Sequence, residues 1–206
     1  MIKAILFDMD GVLIDAKDWH YDALNRALNV FGHNISRDAH LTTFDGLPTR
    51  EKLKMLTASR GLPTGLHEFL NQLKQSYTQE IIYQLCRPKF NHQYALTKLS
   101  EENYVMGVCS NSVRSSVETM MELAGLRKFL SIMYSNEDVK KGKPDPEMYI
   151  KAMNDLEVEP SETLILEDNE NGIAAAVASG AHLLIVSEPE DVTYNFIKTK
   201  ILEIES

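Results

Sequence analysis

The stretch Ile2-Lys3-Ala4-Ile5-Leu6-Phe7-Asp8-Met9-Asp10-Gly11 decides the fold, because an apolar run ends abruptly in two acidic residues and a glycine. So short an apolar run predicts a strand buried on both faces, as a parallel sheet requires. Ligands bind beyond the carboxyl ends of parallel strands, which is where Asp8 and Asp10 stand. Gly11 permits a sharp turn that can bring both carboxylates to one polar crevice.

Two carboxylates this close repel each other unless a cation or a shared proton neutralises them. The pair Asp8 and Asp10 therefore suggests a magnesium site or an acid/base site. Taken alone, the same residues are also typical of a solvated loop or of a helix N-terminus. The choice depends on what stands at the ends of the other strands.

The chain from about residue 100 onward alternates between strand-like and helix-like segments. Short apolar, β-rich runs predict strands at Tyr104–Cys109, Ile132–Tyr134, Thr163–Leu166 and His182–Val186. Apolar residues at helical spacing predict helices at Ser112–Leu123, Pro146–Leu156 and Gly172–Ser179. This alternation indicates an α/β fold with a doubly wound, Rossmann-like parallel sheet.

Residues 15–87 are different, because helix-like stretches follow one another there without an apolar strand between them. Helical periodicity runs from Trp19 to Phe31, and further stretches at Arg50–Leu56, Gly65–Tyr77 and Gln79–Leu85 also look helical. The sequence therefore predicts a small α-helical domain at 15–87, inserted into a sheet domain made of residues 1–14 and 88–206.

Polar residues follow three other predicted strands or loops. Ser110 and Asn111 come directly after the second strand, and a hydroxyl with backbone amides there suits phosphate oxygens. Lys143 lies in a loop fixed by glycine and prolines, and Glu167 and Asp168 end the fourth strand. Each feature alone is equally typical of a helix cap or a solvated charge. Their joint position at parallel strand ends favours one shared site.

Composition excludes several classes of function. The 206 residues are 44% hydrophobic and 25% charged, as in ordinary globular proteins, and the net charge is −9. The acidic balance without a dense basic run makes nucleic acid an unexpected partner. Cys86 and Cys109 fit buried thiols of a reducing compartment. Without a signal peptide or an apolar run of membrane-spanning length, we expect a cytoplasmic protein with no membrane partner, and a monomer.

The ordered set of motifs resembles the haloacid dehalogenase-like hydrolase superfamily over essentially the whole chain. FDMDGVLID (7–15), CSNS (109–112), KGKPDPEMY (141–149) and LEDNENGIAAAVASGA (166–181) look like its four motifs, in the family's order. The inserted helical domain is similar to the small cap of the beta-phosphoglucomutase-like branch. The resemblance implies a Rossmann-like catalytic core with a helical cap.

The resemblance also implies roles for the residues at the strand ends. Asp8 would be the nucleophile that forms an aspartyl-phosphate, and Asp10 would protonate the leaving oxygen and later activate water. Ser110 and Lys143 would hold the phosphoryl oxygens, and Asn111 would help to bind the substrate. Dehalogenases of the family are expected to lack the second aspartate, because halide needs no general acid. Asp10 therefore favours phosphoryl transfer.

The implied cofactor is Mg²⁺. Asp8, the backbone carbonyl of Asp10 and Asp168 would bind the ion, with Glu167 either a ligand itself or an acceptor from a bound water. The ion would screen the repulsion between the anionic nucleophile and the incoming phosphate.

The inserted domain carries three further candidate substrate-binding residues. His20 and Arg50 match positions that the beta-phosphoglucomutase-like branch uses, and Gly46 lies in a loop, residues 45–50, that resembles its substrate-specificity loop. An arginine there can bind a phosphate with two hydrogen bonds. The pattern at His20 is nearly as typical of a buried histidine at the domain junction. Lys74 is a further candidate on another helix, but its pattern is more typical of a solvated face. Three functions stay open. We expect a Mg²⁺-dependent phosphatase of a small phosphomonoester, such as a sugar phosphate; the alternatives are a sugar-phosphate mutase and a non-catalytic binding protein.

Overall fold

A computed structural model describes residues 1–44 and 46–206 of the chain. The described residues form two compact units. We call Met1–Asp15 with Cys86–Ser206 the sheet unit, and Ala16–Leu85 the inserted unit. Each unit has its own core of buried apolar side chains.

The sheet unit contains a five-stranded, fully parallel sheet. Its strands are β1 (Ala4–Phe7), β2 (Val105–Cys109), β3 (Ile132–Tyr134), β4 (Thr163–Glu167) and β5 (His182–Ile185). Their spatial order is β3-β2-β1-β4-β5. The predicted doubly wound α/β sheet is thus confirmed, and all five strands lie where the apolar runs placed them.

The inserted unit is helical. Its helices are α1 (Lys17–Asn29), α2 (Arg37–Ala39), which continues into a π-helical turn at His40–Phe44, α3 (Thr49–Arg60) and α4 (His67–Leu85). Helices α1 and α4 pack against each other around buried leucines and Phe44. From His67 onward, the two stretches predicted at Gly65–Tyr77 and Gln79–Leu85 form one continuous helix, because no glycine or proline separates them there. Gly65 lies in a 3₁₀ turn, Thr64–Leu66, just before it.

The remaining helices belong to the sheet unit. They are α5 (Phe90–Glu101), α6 (Arg114–Leu123), α7 (Glu147–Asp155), α8 (Glu170–Ser179) and α9 (Tyr194–Glu205). Helices α7 and α8 cover one face of the sheet, where Leu6 packs with Met148 and Ala175. Within the described residues, no helix is both long and apolar enough to cross a membrane.

Strand β1 lies at the centre of the sheet and decides where the site can form. It pairs with β2 on one side and with β4 on the other, and its four residues are fully buried. The strand order reverses between β1 and β4, which makes this the topological switch point where α/β proteins open a crevice. Phe7 is level with Val108 and Leu166, so the residues after them reach the same edge of the sheet.

Candidate active site

Two acidic side chains at the switch point accept hydrogen bonds from the same buried lysine. Asp8 follows β1, Glu167 ends β4, and Lys143 comes from the loop before α7. The Lys143 Nζ atom donates to Asp8 Oδ1 at 2.6 Å, to Glu167 Oε1 at 2.6 Å and to the Cys109 carbonyl oxygen at 2.8 Å. Lys143 is therefore hydrogen-bonded to residues at the ends of β1, β2 and β4.

The lysine loop is held in place by Asn111, which follows β2. Its side-chain amide donates to the Lys143 carbonyl oxygen at 3.0 Å, and its Oδ1 accepts from the Lys143 amide at 3.0 Å. A side-chain carbon on Gly142 would lie 2.5 Å from Asn111 Oδ1, so the loop needs glycine there. Through these two hydrogen bonds, the Asn111 side chain holds the backbone of Lys143 in place.

Glu167 is enclosed by groups from α7 and α8. The Tyr149 hydroxyl donates to Glu167 Oε1 at 2.5 Å, and the Asp168 amide donates to Oε2 at 3.2 Å. Asn169 caps α8 by accepting from the Gly172 amide at 3.0 Å. The cap brings the backbone of Gly172 directly against the Glu167 carboxylate.

Asp10 and Ser110 lie at the same edge of the sheet unit. The Ser112 hydroxyl donates to Asp10 Oδ2 at 2.8 Å, and Ser110 Oγ accepts from the Ser112 amide at 3.0 Å. A hydroxyl that accepts one hydrogen bond can still donate one to a ligand. The turn between Asp10 and the next residues uses Gly11, whose φ of 92° confirms that the glycine is needed there.

The cluster has more acid than base. Asp8 and Lys143 are each 4% exposed and Glu167 is fully buried. Burial raises the pKa of the Asp8 carboxyl well above its ordinary value; Lys143 opposes this rise, and the neighbouring carboxylates add to it. Burial alone would lower the pKa of Lys143, but Asp8 and Glu167 more than reverse this, so the lysine stays charged.

One lysine cannot neutralise all the carboxylates, and the geometry suits a divalent cation. Asp8, Glu167 and Asp168 each offer an oxygen within 4.8 Å of the others. Carboxylate oxygens are the ligands that Mg²⁺ prefers in proteins, and a buried surplus of negative charge needs a cation. The donor set and its charge therefore fit the predicted ion.

The candidate residues of the inserted unit form their own contacts. Lys74 is buried, and its Nζ atom lies 3.2 Å from Nδ1 of His20. Arg50 is exposed near the start of α3, 3.9 Å from Glu68. Gly46 is half-buried, and the preceding residue, Asp45, lies outside the described residues.

A known family has the same arrangement of motifs. The family model described as haloacid dehalogenase-like hydrolase matches residues 5–186, which is most of the chain. The chain belongs to the haloacid dehalogenase-like hydrolase family. It is therefore an enzyme of the hydrolase class, as its motifs predicted, and the alternative of a non-catalytic binding protein loses its support.

Relatives of this haloacid dehalogenase-like hydrolase span nearly its whole length. A phosphorylated carbohydrates phosphatase of Thermotoga maritima is 26% identical over 179 residues, covering 87% of this chain and 82% of the relative. A pyrophosphatase of Bacillus mycoides is 25% identical over 199 residues, covering 90% and 84%. The crystal structure of beta-phosphoglucomutase from Clostridium difficile has a TM-score of 0.86 at 20% identity, covering 98% of both chains, which shows the shared fold.

Sequence reasoning missed two side chains of the site. Tyr149 stands at helical spacing with Met148, Ala152 and Met153, so the pattern identifies it only as a core residue. Ser112 looks like part of a helix start. No local sequence signal shows that their hydroxyls reach Glu167 and Asp10, because those contacts join segments far apart in the chain.

Gly172→Ala is expected to destabilise the protein, although alanine normally stabilises a helix relative to glycine by about 1 kcal/mol. The new carbon would lie 2.0 Å from the Glu167 carboxyl group, so that side chain must leave its place between Lys143 and Tyr149. Forced repacking of this kind costs about 1–3 kcal/mol. Urea unfolding measures the change. Gly65→Ala is the control, since its new carbon meets nothing within 4 Å; equal stability of both variants would contradict the packing argument.

Proposed function

We propose that this hydrolase cleaves a small phosphomonoester, preferentially a sugar phosphate, through an aspartyl-phosphate on Asp8. The observation that carries the proposal is the buried cluster at the switch point, where Lys143 holds Asp8 beside Glu167 and Asp168. A carboxylate fixed by a lysine is oriented for attack, and the same lysine can bind the incoming phosphoryl oxygens.

In the first step, an Asp8 carboxylate oxygen forms a bond to phosphorus while the bond from phosphorus to the ester oxygen breaks. Asp10 gives a proton to the departing ester oxygen, which leaves as an alcohol. The hydrogen bond from Ser112 orients the Asp10 carboxyl group for this task. Lys143 and the Ser110 hydroxyl bind the phosphoryl oxygens while the negative charge is redistributed.

In the second step, the aspartyl-phosphate is hydrolysed. Asp10, now ionised, takes a proton from a water molecule whose oxygen bonds to phosphorus, and the bond between phosphorus and the Asp8 oxygen breaks. Inorganic phosphate is released, and both aspartates return to their starting protonation states. The presence of Asp10 supports phosphoryl transfer over release of a halide, which needs no such proton donor.

Mg²⁺ is the proposed cofactor, held by Asp8, the Asp10 backbone carbonyl and Asp168, with Glu167 as a further ligand or as an acceptor. When bound, the ion supplies positive charge that reduces the repulsion between the nucleophile and the phosphate. Lys143 contributes permanent positive charge from the protein itself, and Tyr149 and Asn111 hold the groups that surround it.

We further propose that the inserted unit acts as a cap and selects the substrate. Arg50 would bind the substrate phosphate or sugar from its exposed position, and Gly46, four residues before it, would also contact the substrate. The Lys74 ammonium lies within hydrogen-bond distance of His20 Nδ1 in this unit, and we assign both residues to the substrate-binding surface. The choice of a sugar phosphate is supported by the Thermotoga maritima relative named for phosphorylated carbohydrates, while the Bacillus mycoides relative makes pyrophosphate the main competing substrate.

The test is phosphate release from a panel of sugar phosphates, nucleotides and inorganic pyrophosphate, with Mg²⁺ and with EDTA. We expect release concentrated on one or two sugar phosphates, abolished by EDTA and restored by added Mg²⁺. Release from pyrophosphate alone would replace the proposed substrate. Isomerisation of a sugar phosphate on addition of a bisphosphate, without net phosphate release, would make the protein a mutase.

A further inference from the structure

Tyr149 combines burial with a polar contact that its role in the core does not require. The residue lies on α7, is fully buried and packs among apolar side chains that include Met148 and Met153. A phenylalanine could fill the same space. The hydroxyl adds one strong hydrogen bond, donated at 2.5 Å to Oε1 of Glu167.

The same tyrosine also touches the central lysine. The Lys143 Nζ atom lies 4.8 Å from the centre of the Tyr149 ring, and it donates to the same Glu167 oxygen at 2.6 Å. A cation at this distance from an aromatic ring is attracted to the ring face. Tyr149 therefore supports both members of the Lys143–Glu167 ion pair.

The two oxygens of Glu167 are consequently unequal. Oε1 accepts two short hydrogen bonds, from Tyr149 and Lys143, whereas Oε2 accepts a longer one from the Asp168 amide. Two donors on one oxygen fix the rotation of the carboxylate. Oε2 is then the oxygen with more remaining capacity to accept from a cation or its water shell.

We propose that Tyr149 is a positioning residue for the metal site, acting through Glu167. By holding Oε1, its hydroxyl fixes the rotation of the Glu167 carboxylate, one oxygen of which lies within 4.8 Å of an oxygen of Asp8 and an oxygen of Asp168. We call the carboxylates of Asp8, Glu167 and Asp168 the three-carboxylate cluster. The inference rests on the proposed function, because it assigns this cluster to Mg²⁺. Partners that orient metal ligands contribute about 10- to 100-fold to metal affinity.

The test is Tyr149→Phe, which removes the hydroxyl and keeps the ring. Isothermal titration with Mg²⁺ in the absence of substrate gives the Kd, and we expect it to rise about 10-fold. The Mg²⁺ concentration for half-maximal phosphate release is expected to rise by the same factor. The substrate KM, and kcat at saturating Mg²⁺, are expected to change by a smaller factor than the Mg²⁺ Kd, because the reacting groups are intact.

Tyr134→Phe is the matched control. Tyr134 is also buried in the sheet unit and also donates to a carboxylate, that of Asp155, which is not part of the three-carboxylate cluster. A loss of packing or stability would affect both variants, whereas the shift in Mg²⁺ affinity should appear only in Tyr149→Phe. The rise in Tm on addition of Mg²⁺, compared within each variant, gives a second readout that does not depend on initial stability.

An unchanged Mg²⁺ Kd in Tyr149→Phe, or an equal shift in Tyr134→Phe, would overturn the inference. A wild-type protein that binds no Mg²⁺ would overturn it as well. If the protein binds Mg²⁺ and the affinity shift appears, but no panel compound releases phosphate, the positioning role holds and the proposed phosphatase activity fails. The metal titration and the phosphate assay thus separate the two ideas.

Discussion

Replacement of Asp8 by asparagine is expected to reduce kcat for phosphate release by at least about 10⁴-fold, the scale seen when a nucleophile is removed from a catalytic unit. An amide nitrogen or oxygen is a far weaker nucleophile than a carboxylate and cannot form the aspartyl-phosphate. The size of the side chain is preserved, and Lys143 keeps its contacts with Glu167 and the Cys109 carbonyl oxygen. The variant should therefore fold.

The measurement is the steady-state rate on the best compound of the panel, with circular dichroism to verify folding. Asp155→Asn is the control, an equal change at an exposed carboxylate on α7. It should retain near wild-type activity. A folded Asp8→Asn protein with more than about 1% of the wild-type rate would reject Asp8 as the nucleophile, because 1% corresponds to only about 2.7 kcal/mol of barrier.

Lys143→Met is expected to lower the free energy of unfolding by about 3–5 kcal/mol, the usual cost of removing one member of a buried ion pair. Methionine fills much of the same volume but leaves Asp8 and Glu167 buried without their shared cation. Activity should also disappear, since Asp8 loses its orienting partner. Urea unfolding at neutral pH, without added metal, measures the loss of stability.

Lys141→Met, two residues away in the same loop, is the matched control. Lys141 is exposed and its nearest acidic partner, Asp145, lies 3.8 Å away, so its loss should change stability by no more than about 1 kcal/mol. Added Mg²⁺ should restore more stability to Lys143→Met than to Lys141→Met, because a cation among the carboxylates replaces the missing charge. Equal stabilities of the two variants would contradict the view of Lys143 as the central counter-ion.

The strands could be predicted almost completely from the sequence, whereas some helices could not. Buried parallel strands are short apolar runs with polar ends. This signal is local, so the sequence predicts both ends of the strand Ile132–Tyr134 to the residue. Helices α5 and α9 were not predicted. Helix α9 buries only Ile197 and Ile201, and two buried apolar positions are too few to reveal a helical period in the sequence.

The convergence of Asp8, Lys143 and Glu167 could also be predicted. Asp8 and Glu167 stand at the ends of predicted strands, and Lys143 lies in a loop marked by glycine and proline residues. The partners of these residues could not. That Lys143 bridges two carboxylates depends on how Asn111 holds its backbone, and that Tyr149 reaches Glu167 depends on how α7 packs. Side-chain direction between distant segments is a property of packing, which a local pattern does not contain.

The central position of β1 determines how late this strand can pair during synthesis of the chain on the ribosome. Asp8 is made long before the strands that flank its own strand: β1 gains a neighbour on one side only with β2, residues 105–109, and on the other only with β4, residues 163–167. Pairing between segments so distant in the chain is intrinsically slow. Asp8 therefore lacks its contact with Lys143, and its neighbour Glu167, until the chain has been synthesised beyond residue 167.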